Sequence, residues 1–192
     1  MERTTNSYFK LFKPYGYVSQ FITNDKNAKR KRFLGELFPF PEGTMAVGRL
    51  DEPSEGLLFL TTDGVFSNQI CSTGVQKEYY AQVDGRITDE AIAALTAGVQ
   101  ISIEGATYTT LPCIAQTIEI PDLPERAKKI RDERHGPTSW ISITLTEGKF
   151  RQVRKMTAAV GFPTLRLVRF RIGTETIAGM NPGDVQPIHP IY

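Results

Sequence analysis

Apolar positions recur along this chain at two spacings, and each change of spacing marks the end of an element. In WISITLTEG at 140–148, Ile141, Ile143 and Leu145 alternate with other residues, the period of two expected of a strand. The same alternation returns in KEYYAQVDG at 77–85, which places Tyr79, Ala81 and Val83 on one face. It returns again in TLRLVRFRIG at 164–173. There Val168, Phe170 and Ile172 are expected to point one way, and Leu165, Leu167, Arg169 and Arg171 the other. GLLFLT at 56–61 does not alternate, which predicts a central strand covered on both faces. Further strands are predicted at YFKLFK (8–13), at YVSQFIT (17–23) as its partner across the turn PYG, at TMAVGRL (44–50), and near 101–103 and 107–119.

Helical spacing is confined to three short stretches. DGVFSNQICSTG at 63–74 has Asp63 as N-cap and Gly74 beyond its end, and TDEAIAALTAGV at 88–99 has Thr88 as N-cap, two acids in its first turn and Gly98 near its stop. Roughly 150–160 forms the third, with Val153, Met156 and Val160 at i, i+3 and i+7. DKNAKRKR at 25–32 reads as a basic loop, either solvated or in contact with RNA. The charged stretch 121–137 reads as a loop or a short exposed helix between prolines. There is no internal repeat, low-complexity tract or linker. The expectation is an α+β fold, an extended mostly antiparallel sheet with short helices packed on it, in one domain over 1–192 with room for two lobes.

Composition adds little until charge is mapped. The chain has 192 residues, 40% apolar and 23% charged, which fits a soluble globular domain with a substantial core. Its start carries no leader-like apolar stretch, and nothing later approaches the roughly 20 apolar residues of a membrane span. Cys71 and Cys113 are far apart and in no metal or redox spacing, so a cytoplasmic location is expected. The net charge of +2 conceals an asymmetry: Lys149, Arg151, Arg154, Lys155, Arg166, Arg169 and Arg171 stand in a window without acids, while the rest holds 16 basic against 21 acidic residues. Such a local positive field is either a solvated face or the footprint of a polyanion.

No cofactor motif is present. G-x-G-x-x-G is missing, Gly43 and Gly48 are followed by Arg49-Leu50 where a phosphate loop needs Lys-Ser/Thr, and His135 and His189 are isolated. No cofactor and no metal are expected. Candidate chemistry falls on a carboxylate, a phenol and guanidinium groups. Asp51 sits in GRLDEPSEG directly before the most apolar strand, with Arg49 as a cationic neighbour; it is either a turn former or a fixed nucleophile or base. Arg154, beside the Val153–Met156 stripe, either covers the core with its methylenes or pairs with a carboxylate such as Asp51. Tyr79 is either core or a platform for a nucleobase. Leu167 shares its expected face with Arg169 and Arg171, which suits the floor of a cleft.

Four stretches in order, KPYGYVSQF at 13–21, VGRLDEPSEGLLFLTTDG at 47–64, KEYYAQVDG at 77–85 and EGKFRQVRKMTAAVGFPTLRLVRFRIG at 147–173, resemble the pseudouridine synthases of the RsuA/RluB/RluE/RluF family. The VGFPTLRL run looks most like the RluE branch, which acts on a uridine of 23S ribosomal RNA. The resemblance implies a pseudouridine synthase-like catalytic domain with an RNA cleft across the sheet. It implies Asp51 as the catalytic aspartate, Tyr79 stacked on the target base, Arg154 paired with the aspartate, Leu167 lining the pocket, and Arg49 holding the nucleotide out of the stack. Lys149, Arg151, Lys155, Arg166 and Arg169 would contact the RNA backbone. Extruding a base costs a few kcal/mol, so a replacement platform and a phosphate grip are both needed. A monomer is expected, with ribosomal RNA as partner, either free or in an assembling large subunit. Two departures stand out. The signature begins at residue 8, leaving no room for the small N-terminal S4 domain of many relatives. Glu52-Pro53 replaces a basic-acidic pair beside Asp51.

Two other classes compete. A non-catalytic ribosomal-RNA-binding or assembly protein on the same scaffold would explain the basic window, but has no use for an acid in a phosphate-rich cleft. A glycoside hydrolase with Asp51 and Glu55 as paired acids would leave that window without purpose.

Overall fold

The longest apolar run becomes the middle of the first of two compact units into which the computed structural model divides. One unit is Met1–Thr73 with Ile177–Tyr192, the other Gly74–Thr176. Residues 6–22, 30–72, 74–130 and 133–190 are described. Most of the basic loop 25–32 lies outside them. No helix among the described residues is long and apolar enough to cross a membrane.

In the first unit, strand β1 (Tyr8–Lys13) lies antiparallel to β3 (Glu55–Thr61), β2 (Met45–Val47) pairs with the C-terminal half of β3, and β11 (Val185–Pro187) pairs with β1. Every residue of β3 is buried. Leu58 and Leu60 pack with Leu11 and Leu34 into a core completed by Phe9, Phe21, Leu37 and Phe40. On the other face Phe59 meets Phe66 of helix α1 (Gly64–Cys71) at 6.0 Å between ring centres. Both faces being covered is the physical reason for the unbroken apolar run. Asp63 caps α1, accepting from the amides of Val65 and Phe66, and Tyr8 Oη donates to its other oxygen at 2.7 Å. The Tyr8 hydroxyl, ahead of those amides, holds the Asp63 carboxyl below the usual carboxylate range.

The predicted strand over 17–23 is not formed in its described part. Beyond an isolated bridge from Tyr17 to Arg32, residues 18–22 are irregular with bends at 19 and 21. Their polar groups are engaged elsewhere: Val18 N donates to Arg32 O, Gln20 O accepts from Leu34 N, and Ser19 bonds through its side chain to residue 50. A strand ladder would have competed for those same groups.

The second unit is built on β4 (Lys77–Asp84), flanked antiparallel by β9 (Thr164–Ile172) and β8 (Thr138–Leu145); β7 (Ile114–Ile118) extends the sheet beyond β8 and β10 (Glu175–Thr176) pairs with β9. Helix α2 (Asp89–Ala97) is capped by Thr88. It ends at Gly98, whose φ is +97° and where an added Cβ would lie 2.4 Å from the Thr110 carbonyl oxygen. That close approach closes the base of a separate hairpin, β5 (Gln100–Ile103) with β6 (Ala106–Thr109), through paired bonds between Val99 and Thr110. Helix α3 (Gln152–Ala159) buries Val153 and Met156 as its spacing predicts. Within the predicted loop or short helix over 121–137, the described residues are irregular apart from one turn of 3-10 helix at Glu133–His135.

Candidate active site

Asp51 stands in a turn closed by Ser54 N donating to its backbone carbonyl at 2.9 Å, immediately before β3. Its side chain is half-buried and that of Arg49 is exposed. The segment 13–19 wraps this turn from one side. Ser19 Oγ donates to the Leu50 carbonyl at 2.8 Å and accepts from the Leu50 amide at 3.0 Å, so one hydroxyl satisfies both backbone groups of the residue before Asp51. Gly16 N donates to Glu52 O at 2.8 Å on the other side of the aspartate. Fully buried Lys13 in turn holds the wrapping segment, donating from Nζ to the Tyr17 carbonyl at 2.6 Å and to that of Pro14 at 3.1 Å. Asp51 therefore projects from a backbone tied on both sides.

The second constellation lies on β4 and β9. Opposed residues of antiparallel neighbours share a face, and the register sets Tyr79 opposite Arg169 and Ala81 opposite Leu167. Tyr79, Leu167 and Arg169 thus occupy one face of the sheet, as expected. Arg171 does not join them. A bulge makes β9 take two steps where β4 takes one, between Glu78 and Tyr79, and this turns Arg171 to the opposite face. There Arg171 Nε meets Glu78 at 2.9 Å, Ser142 Oγ donates to the same carboxylate, and the rings of Tyr80 and Phe170 stack 4.5 Å apart. Arg166, opposite Gln82, shares this second face. It is 7% exposed and donates to the Pro124 carbonyl at 2.8 Å, and Arg169 is 3% exposed. The expectation that both meet the RNA backbone thus falls on side chains with almost no free surface.

The third constellation is the turn between β8 and α3. Glu147, 8% exposed, accepts from Tyr108 Oη at 2.5 Å, from Leu111 N at 2.9 Å and from Gln152 Nε2 at 2.5 Å. Gln152 passes the order on, accepting from Lys149 N at 2.9 Å. The hydrogen bond to Glu147 raises the Tyr108 phenol above its ordinary range. Lys149 and Arg151 are exposed and Lys155 half-buried, so the positive end of the charge window is presented here. Arg154, half-buried on α3, has Nη1 3.5 Å from the Thr164 carbonyl. Ser19, Glu147 and Tyr108 were not singled out from sequence. Ser19 sits inside the KPYGYVSQ run and Glu147 is the last acid before the basic window, the only signals that point to them.

An aspartate fixed before a buried strand, a tyrosine and leucine on one sheet face, and a rigid basic turn are the candidate features, and the comparisons place the chain in a family of RNA-modifying synthases. A profile of the RNA pseudouridylate synthases matches residues 7–159, and the chain belongs to that family, whose enzymes are isomerases. The ribosomal large subunit pseudouridine synthase E of Vibrio parahaemolyticus is 38% identical over 178 residues, 92% of this chain and 71% of that protein. The protein of the same name from Xanthomonas campestris is 41% identical over 177 residues, covering 91% of each chain. A crystal structure of a pseudouridylate synthase superposes with a TM-score of 0.73 at 25% identity, over 96% of this chain and 71% of that one. The expected α+β pseudouridine synthase fold is thereby borne out. Asp51 and Arg49 belong to the first unit and Tyr79, Arg154 and Leu167 to the second.

Proposed function

We propose that this enzyme converts one uridine of 23S ribosomal RNA to pseudouridine, with Asp51 as the catalytic carboxylate. The reading is carried by 38–41% identity, over nine-tenths of the chain, to proteins named for the large ribosomal subunit. In the reaction the bond between uracil N1 and ribose C1′ breaks, the detached ring turns, and C5 joins C1′. The C5 proton is released to solvent and N1 takes one up, so atoms balance without any oxidant or reductant. Asp51 acts on the nucleoside as the glycosidic bond opens, with Arg154 as the expected cationic partner of its carboxylate. Tyr79 stacks on the extruded uracil, Leu167 lines the pocket, and Arg49 keeps the nucleotide out of the RNA stack. Lys149, Arg151 and Lys155 grip phosphates. Arg166 and Arg169, also expected to contact the RNA backbone, are almost fully buried. The enzyme works in the cytoplasm as a monomer, on the large-subunit RNA before or during assembly.

The reading is tested by mapping pseudouridines in ribosomal RNA from cells with and without this protein. One position of the large-subunit RNA is expected to revert to uridine, with small-subunit RNA unchanged. An identical map in both strains, or a loss confined to another RNA, contradicts the target.

A further inference from the structure

Phe150 has no part in the chemistry above, and its setting is unusual for a large aromatic side chain. It is 67% exposed. Most exposed apolar residues sit singly and mean nothing, but this one stands at the tip of the turn between Lys149 and Arg151. Lys155 reaches up from the next helical turn, its ammonium 5.1 Å from the Phe150 ring centre, while Nζ also donates to Ser102 O at 2.7 Å. The ring therefore lies against a cation that is itself tied to the β5–β6 hairpin.

The turn beneath it is rigid by construction. Glu147 gathers three donors from Tyr108, Leu111 and Gln152, and Gln152 fixes the Lys149 amide. Lys149 Nζ lies 4.9 Å from the centre of the Tyr108 ring. Arg151 adopts a left-handed backbone, φ 53°, which non-glycine residues rarely take and which the surrounding bonds must maintain. A strained, multiply tethered turn that presents an aromatic ring among three cations is poorly explained as a solvated loop. Its chemistry matches that of single-stranded nucleic acid binders, in which an aromatic face receives a base while neighbouring cations hold the backbone.

We propose that Phe150 is a second stacking platform, which takes an unpaired base of the substrate RNA next to the extruded uridine. This rests on the RNA-modifying function above and adds to it a binding residue distinct from Tyr79. By holding a neighbouring base, the ring anchors the strand in an opened conformation, so that its contribution appears in substrate binding rather than in bond making.

The test uses two fluorescent probes at one salt concentration: a 12-nucleotide oligouridylate, and a ribose–phosphate chain of equal length without bases. Phe150→Ala is expected to weaken binding of the base-bearing probe about tenfold and to leave the abasic probe within about twofold, the precision expected of such a comparison. Phe150→Tyr, which keeps the aromatic face, restores binding of the base-bearing probe. Equal affinity of the Ala variant and the parent for both probes overturns the platform. Equal loss on both also overturns it, because the ring would then only be supporting Lys155 and the turn. A parallel arm follows tritium release from 23S RNA transcripts labelled at uridine C5, in which Phe150→Ala raises KM with kcat near the parent value. If neither the parent nor any variant releases tritium while the base-dependent gap persists, the target assignment fails and the platform stands.

Discussion

Ser19 gives up its hydroxyl entirely to one neighbour, bonding both the amide and the carbonyl of Leu50 in a site only 7% exposed. Replacing it with alanine leaves both groups without that partner. Such losses cost about 1–3 kcal/mol, which in a protein of this size lowers Tm by roughly 2–12 °C. The more telling effect is kinetic. The hydroxyl is bonded to the residue before Asp51, so if it positions that aspartate, at a temperature where the variant is fully folded kcat is expected to fall about tenfold while KM stays near the parent value. An unchanged kcat shows that the turn holds its aspartate without Ser19. At this scale the sequence was partly legible. Asp51 stood out because an acid before a buried strand is conspicuous, whereas Ser19 did not, since a serine between turn residues has many ordinary uses. Glu147 was hidden for a related reason. Its partners Tyr108 and Leu111 are distant in sequence and come together only once the β5–β6 hairpin has folded.

Among elements, apolar spacing was a sound guide wherever burial decided the pattern. β3, β4 and β8 lie where alternation or its absence placed them, because their side chains had to match faces already covered. Spacing misled where polar groups or backbone geometry decided instead. Residues 17–22 carry strand-forming side chains, but their hydrogen-bonding groups serve the Asp51 turn and the 30–34 segment. In β9 the alternation is real yet the bulge shifts its phase, so Arg171 faces Glu78 rather than sharing a side with Arg169. A bulge adds a residue without altering the hydrophobic count and leaves no mark on a period-two pattern. Gly98 is the element junction with least tolerance. Gly98→Ala forces a left-handed backbone on a residue with a side chain and drives that side chain against the Thr110 carbonyl. A loss of about 2 kcal/mol or more is expected in denaturant unfolding. An unaltered midpoint means that the hairpin base moves aside without cost.

Across the whole molecule, charge asymmetry left a solvated face or a polyanion footprint open before any residue was assigned, and the structure divides its cations by burial. The run of cations is continuous in sequence but divided in space: Lys149 and Arg151 face solvent, while Arg166 and Arg169 are almost fully buried. A linear charge count cannot separate these roles, since burial depends on which strand face a residue occupies. The residues assigned to the proposed reaction are spread over both units, Asp51 in the first and Tyr79, Arg154 and the basic turn in the second. The most direct measurement is single-turnover release of tritium from 23S RNA labelled at uridine C5, comparing the parent enzyme with Asp51→Asn, a variant that keeps the size of the side chain and removes its charge. With RNA affinity retained, the Asn variant is expected to release tritium at least about a thousandfold more slowly, of the order seen when a group central to a catalytic constellation is removed. Release at the parent rate by a variant with intact RNA binding would contradict the assignment of Asp51.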